Sequence, residues 1–287
     1  MVSATQLSSY LYCPRKLFLS NVLLVEEPPK QELVKGKIWH ETHESINNAE
    51  EKLVCSINTK NYQDIFDIYR KQYSQILRNV IIKNKSALKE FNISLLDIFT
   101  DYWPCFEEEA KGHALNVVNF IERHDVYGNE LWEKLTPKIL SEQYFKSTKL
   151  MLSGIIDVLE VHANNGNTVY IPVELKTGKY PDKGMWDGHK IQLAAYILLL
   201  EDAGKPVSEA MIKYRGTEKR TLQMNTFLKE EVLDLIKKTN ALLDSMTLPD
   251  MVDNKNKCKS CHFKETCYNQ DTMKTLLKDA ELRLKKH

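Results

Sequence analysis

Glycine is scarce in this sequence, 10 residues in 287, against an average usage of about 7%. Few positions therefore demand a left-handed backbone, and a helix-rich fold is expected. Long apolar runs are missing as well. The longest, Leu193 to Leu200, is far short of the roughly 20 residues that span a bilayer, so no membrane partner is expected. The opening MVSATQLSSYLYCPRK has no cationic start leading into an apolar core; no secretory signal and a cytoplasmic location are the expectation. Neither sign of charge dominates: 40 Lys+Arg against 39 Asp+Glu leave a formal charge of +1. That balance argues neither for nor against nucleic acid, because only a local basic surface matters. The phosphate-binding motif G-x-x-x-x-G-K-[ST] does not occur, which excludes a helicase engine of that type. What is present is 43% hydrophobic and 28% charged, an ordinary globular composition able to bury a core without staples. In a reducing compartment, clustered cysteines among the six point to metal rather than disulfide.

Four regions are expected along the chain: N-terminal helices over 1–50, a helical insertion over 51–137, an α/β core over 138–250, and a cysteine cluster with a basic tail over 251–287. Thr5 can cap a short helix, and Pro14 suits the first turn of the next. Pro28-Pro29 breaks the pattern, and 31–50 is helical again. Within the insertion, Ile65, Ile68, Tyr69, Tyr73, Ile76, Leu77 and Val80 recur at helical spacing, and a further helix is expected over 106–127. Packing and shielding are the expected roles there. From residue 138 the texture changes to three strands, KILSEQYFKS, KLMLSGIIDVLEVH and TVYIPVELKTG, the last two joined by the turn Asn164-Asn165-Gly166-Asn167. A helix near 188–202, two more strands and an amphipathic helix over 226–246 complete an α/β fold with a mixed sheet.

Asp157 lies on one strand of the hairpin, Glu174 and Lys176 on the other. Strand periodicity is two, so Glu174 and Lys176 project from one face, and a neighbouring strand about 4.8 Å away brings Asp157 near it. Two carboxylates and an amine in an apolar setting, GIIDVLEV and YIPVELKTG, cannot be buried without compensation. A divalent cation supplies it: Mg²⁺ and Mn²⁺ favour hard oxygen ligands and leave room for water and phosphate. Asp157, Glu174 and the backbone carbonyl of Leu175 would be ligands. Lys176 would orient or activate the attacking water and offset phosphate charge. The plain alternative is a buried salt bridge, and an isolated E-x-K would be read that way.

GIID157, PVE174LK176TGK and Q192LAAY196 together resemble the PD-(D/E)-x-K nucleases of the RecB type. The resemblance implies a restriction-endonuclease-like core. It also implies a histidine metal ligand from an upstream G-x-x-x-H, here Gly36 to His40, with His43 as competitor. Gln192 and Tyr196, four apart on one helix face, are implied to lie beside the site and join its catalytic set; Tyr196 packing in the core is the alternative. Glu142 matches an acidic position of the family, although a solvated strand-end charge describes it as well. Cys258, Cys261 and Cys267 cluster near the C-terminus, and Cys13 stands alone in Tyr12-Cys13-Pro14. Four thiolates suit either a [4Fe–4S] cluster or zinc, and spacing does not decide. The resemblance implies the iron–sulfur cluster, with one cysteine before the core and three after it, closing a structural clasp. Cys55 and Cys105 fall outside the pattern.

The opening YLYCPRKLFL is similar to the CRISPR-associated RecB-like exonucleases. That similarity implies metal-dependent cleavage of single-stranded DNA from a 5′ end. It further implies a role in CRISPR adaptation, trimming spacer precursors beside the CRISPR-associated integrase and its small partner. The other readings are a repair or viral nuclease of the same chemistry without those partners, and a non-catalytic DNA-binding module.

Overall fold

The structure, a computed structural model, describes residues 1–164 and 166–284. The chain opens with β1 (Val2–Ser3), α1 (Ala4–Tyr12) and α2 (Pro14–Asn21), followed by the long α3 (Gln31–Cys55). A helical block comprises α4 (Tyr62–Lys83), α5 (Lys85–Glu90), α6 (Leu95–His124) and α7 (Gly128–Lys134). The α/β part runs β2 (Lys138–Ser147), β3 (Leu152–Asn164), β4 (Asn167–Lys176), α8 (Asp187–Asp202), β5 (Ala210–Tyr214), β6 (Lys219–Leu222) and α9 (Thr226–Leu243). Short α10 (Lys255–Lys259) and α11 (Lys264–Tyr268) lead to α12 (Gln270–Leu284). The fold is therefore α/β with a mixed six-stranded sheet. No helix among the described residues is long and apolar enough to cross a membrane.

Three local readings need correction. Ser3, not Thr5, caps α1: its hydroxyl accepts from the Gln6 amide while the Gln6 side chain accepts from the Ser3 amide, a reciprocal capping box. The helix expected over 106–127 begins at Leu95 and runs through Pro104. An interior proline costs about 3 kcal/mol. Here Ile98, Tyr102, Phe106 and Ala110, buried on one stripe, hold the helix across it. Glu142 lies in the middle of β2 rather than at its end. Asn165, in the expected hairpin turn, is outside the described residues, but its strands pair in register from Val158–Val173 to Asn164–Asn167.

The sheet separates two cores. One face, with Val158, Val173 and Leu175, shares a core with α3, α4 and α6. The other, with Ile156, Leu159, Ile212 and Tyr214, is covered by α8, α1 and α9. The alternation of β3 breaks at Asp157, because Ile156 and Leu159 enter the same core although three positions apart. The break sits where the sheet splits. One edge of β3 pairs with β2 along its length. The opposite edge pairs with β1 at Leu152 and Ser153, and with β4 only from Val158 onward. Beyond Val173, β4 leaves β3 and continues alongside β5. The wedge so opened, between residues 154 and 157 of β3 and the end of β4, is where the polar residues gather.

Candidate active site

Released from the ladder with β3, the Leu175 amide donates to Asp157 Oδ2 at 2.8 Å. A backbone bond of the sheet is thus replaced by one that fixes the carboxylate. Asp157 Oδ1 lies 3.4 Å from His40 Nδ1 on α3. His43, one turn further along α3, points elsewhere: it stands 3.5 Å from Glu109, against Trp39 and Phe106. His40 is thus the histidine beside the carboxylates. Glu142 completes a group with His40 and Asp157 whose ligand atoms all lie within 4.8 Å of one another. Glu142 holds a left-handed backbone, φ 51°, a conformation that costs a non-glycine residue about 1–2 kcal/mol. The sequence signal for it was the acidic position before GIID; its strained backbone was not legible there.

Glu174 faces α8. Its Oε1 accepts from Lys176 Nζ at 2.5 Å and from Gln192 Nε2 at 2.8 Å. Its Oε2 lies 3.0 Å from Tyr196 Oη, and that hydroxyl also contacts Ile155 O and Gln192 Nε2, each at 2.8 Å. Helix α8 can come this close because position 154 is glycine: a Cβ there would meet the Tyr196 ring at 3.0 Å and Leu199 at 3.1 Å. A cavity of about 280 Å³ opens over these groups, lined among others by Glu142, Ser153, Asp157, Glu174, Gln192 and Tyr196.

Burial and the neighbouring Glu174 charge push the Asp157 carboxyl well above its usual range, against the pull of the Leu175 amide and Lys176. Burial, with help from Glu44 and Glu174, also raises Glu142. For Lys176, burial alone would favour loss of the proton, but Glu174 and Asp157 outweigh it and hold the amine above its ordinary value. Lys176 therefore remains an ammonium and acts as a hydrogen-bond donor. Burial holds His40 low, so its imidazole is available as a neutral ligand.

The donor set fits a small divalent cation. Octahedral ligands at about 2.1 Å stand about 3–4 Å from one another, within the spread of the His40, Glu142 and Asp157 atoms. Glu174, expected as a ligand, is placed beside this group with both oxygens engaged by Lys176, Gln192 and Tyr196.

At the other end of the molecule, Cys13, Cys258, Cys261 and Cys267 line one cavity of about 30 Å³, together with Arg15 and Tyr268. The two chain ends are tied there. Lys257 Nζ donates to Tyr12 O at 2.9 Å, Arg15 donates to Pro249 O at 2.9 Å, and Phe18, Leu19 and Leu23 pack on Phe263, Met273 and Ala280. Cys55 and Cys105 lie elsewhere, at the end of α3 and within α6.

The chain matches the PD-(D/E)XK nuclease superfamily over residues 1–268. It belongs to that superfamily. Among curated proteins it is similar to the DNA replication ATP-dependent helicase/nuclease dna2 of Schizosaccharomyces pombe, 24% identical over 93% of this chain and 18% of that one. It is also similar to the CRISPR-associated exonuclease Cas4 of Francisella tularensis subsp. novicida, 31% identical over 42% of this chain and 59% of that one. The chain thus spans less than two thirds of either relative. The solved structure of SSO0001 aligns with 66% of this chain and 80% of its own at 14% identity and a TM-score of 0.30.

Proposed function

We propose that the protein is an exonuclease that cleaves single-stranded DNA from a 5′ end and trims spacer precursors in CRISPR adaptation, with the integrase and its small partner. The observation that carries the catalytic part is the gathering of His40, Glu142, Asp157, Glu174 and Lys176 at the split between β3 and β4. His40, Glu142 and Asp157, with Glu174 beside them, would hold Mg²⁺ or Mn²⁺; the Leu175 carbonyl remains the proposed backbone ligand. Such a cation lowers the pKa of the attacking water and offsets phosphate charge. Lys176, an ammonium, orients that water and donates to a phosphate oxygen. Gln192 and Tyr196 hold Glu174 in place, as partners of metal ligands commonly do.

The cysteine cavity supports the [4Fe–4S] reading. Four thiolates are soft ligands suited to such a centre. The choice of this centre over zinc rests on the family resemblance, since four thiolates suit either. The cluster would be structural, fastening α2 to the C-terminal helices. The four regions 1–50, 51–137, 138–250 and 251–287 are retained as a proposed division.

The similarity to Cas4 supports the CRISPR setting. The longer match, to dna2, supports a second reading in which the same chemistry serves replication or repair without CRISPR partners. Linear oligonucleotides labelled at either end, compared with circular single strands in Mn²⁺, test the activity. Loss of the 5′ label as short products, with circles spared, is expected; cut circles would overturn the exonuclease assignment. Co-purification with the integrase separates the CRISPR reading from the repair reading.

A further inference from the structure

The loop between β4 and α8, residues 177–186, leaves the sheet directly after Lys176 and carries two exposed aromatic residues, Tyr180 at 45% and Trp186 at 49% exposure. Both are held. The Trp186 indole N–H donates to Lys179 O at 2.9 Å. The Tyr180 ring lies 5.6 Å from the Tyr214 ring, tilted by 36°. Arg220, on β6, stands over both tyrosines at 5.4 and 5.3 Å and donates to the backbone carbonyls of Pro181 and Gly184. It therefore ties the loop to the sheet while presenting a guanidinium beside the rings. Exposed Lys179 and Lys183 add positive charge on the same loop, against Asp182 and Asp187.

This platform adjoins the catalytic lysine. Tyr214 is the register partner of Lys176 in the parallel β4–β5 pair, and the Arg215 amide donates to Lys176 O at 2.8 Å. His189, in the first turn of α8, accepts or donates at Nδ1 to Tyr214 Oη at 2.8 Å. An unbroken line of contacts runs from Lys176 through Tyr214 to Tyr180 and Arg220. Half-exposed aromatic faces, fixed in place and flanked by cations, are what an unpaired base and its phosphate need: stacking accepts any base, and the cations meet the backbone.

We propose that Tyr180, Trp186 and Arg220 form a base-stacking subsite for the unpaired nucleotide that flanks the scissile phosphate. The subsite rests on the nuclease reading above. It selects single strands, because a duplex keeps its bases stacked inside the helix.

The test combines protein and DNA changes. Oligonucleotides with one abasic position stepped along the strand are bound, by fluorescence anisotropy in Ca²⁺, to the wild type and to Tyr180→Ala, Trp186→Ala, Tyr180→Phe and Trp186→Phe. Each alanine variant should bind single strands about 5- to 150-fold more weakly, and each phenylalanine variant should recover most of that loss. An abasic site at one register should weaken wild-type binding by a similar factor and have little further effect on the alanine variants, as expected when both changes remove one contact. Equal sensitivity at every register, additive losses, or the same loss on duplex DNA would overturn the subsite. The abasic scan on the wild type decides the matter even if a variant fails to fold. A wild type that cuts with Mn²⁺ but shows no such register refutes the subsite alone, whereas one that neither cuts nor binds single strands refutes the functional reading beneath it.

Discussion

Tyr196→Phe separates a packing role from a catalytic one, because it removes a single oxygen and keeps the ring. The ring is 1% exposed and fills the space above Gly154, so phenylalanine fits without a cavity. The hydroxyl is another matter. It accepts from Gln192 Nε2 and has one proton to share between Ile155 O and Glu174 Oε2. Without it, a carboxylate oxygen of Glu174, itself 3% exposed, loses a buried donor. Hydrogen bonds to charged groups contribute about 1.5–3 kcal/mol, and a chain of this size loses about 2–4 °C of Tm per kcal/mol. The expected drop is about 3–12 °C by thermal unfolding without cation. Cleavage should fall about 10- to 100-fold, as for other partners that orient metal ligands, with a higher Mn²⁺ requirement. Initial rates on a labelled single strand across a Mn²⁺ titration measure this. Wild-type rate together with wild-type Tm would refute the reasoning and return Tyr196 to simple packing.

His40→Ala should raise the Mn²⁺ needed for half-maximal cleavage about 10- to 100-fold, whereas His43→Ala should lower Tm through lost packing and leave the Mn²⁺ curve in place; the same titration reads both. Glu142→Gly should stabilise the apoprotein by relieving a left-handed backbone worth about 1 kcal/mol, while weakening Mn²⁺ binding measured by calorimetry. Burial, aided by the nearby Lys213, depresses His43 to about 4 from an ordinary 6.5. The unfolded chain therefore binds the extra proton first, and stability falls as pH drops from about 6.5 to about 4, by on the order of 3 kcal/mol. Denaturant titrations across that window should show the loss, and His43→Phe should flatten it. Cys13→Ser should cost anaerobically purified protein its iron as completely as Cys258→Ser does, whereas Cys55→Ser should not; one zinc and no iron per chain would contradict the cluster.

The hairpin was legible because Asn164, Gly166 and Asn167 mark a turn between two apolar segments, and Glu174 and Lys176 stand two apart on the second of them. Helix α8 was legible because its apolar run ends cleanly at Gly204-Lys205-Pro206. The split of the sheet was not. It depends on where β1 and β4 stop along one edge of β3, and β1 is only two residues long. The place of Glu142 follows from that split and from a backbone angle that no side-chain pattern announces. His40 and His43 share a helix and differ only in which side of it meets Asp157. The meeting of Cys13 with the C-terminal cysteines spans most of the chain; local pattern carries no signal at that range, and the family resemblance alone implied it.

The most direct measurement is cleavage of a labelled single-stranded oligonucleotide by the wild type, Asp157→Ala and Glu174→Ala, each with Mn²⁺ and with chelator. The wild type should cut only with Mn²⁺, and both variants should be silent while keeping the wild-type far-ultraviolet circular dichroism spectrum. Full activity in folded Glu174→Ala, or wild-type cleavage that survives the chelator, would contradict the account of a metal-dependent site at the split of the sheet.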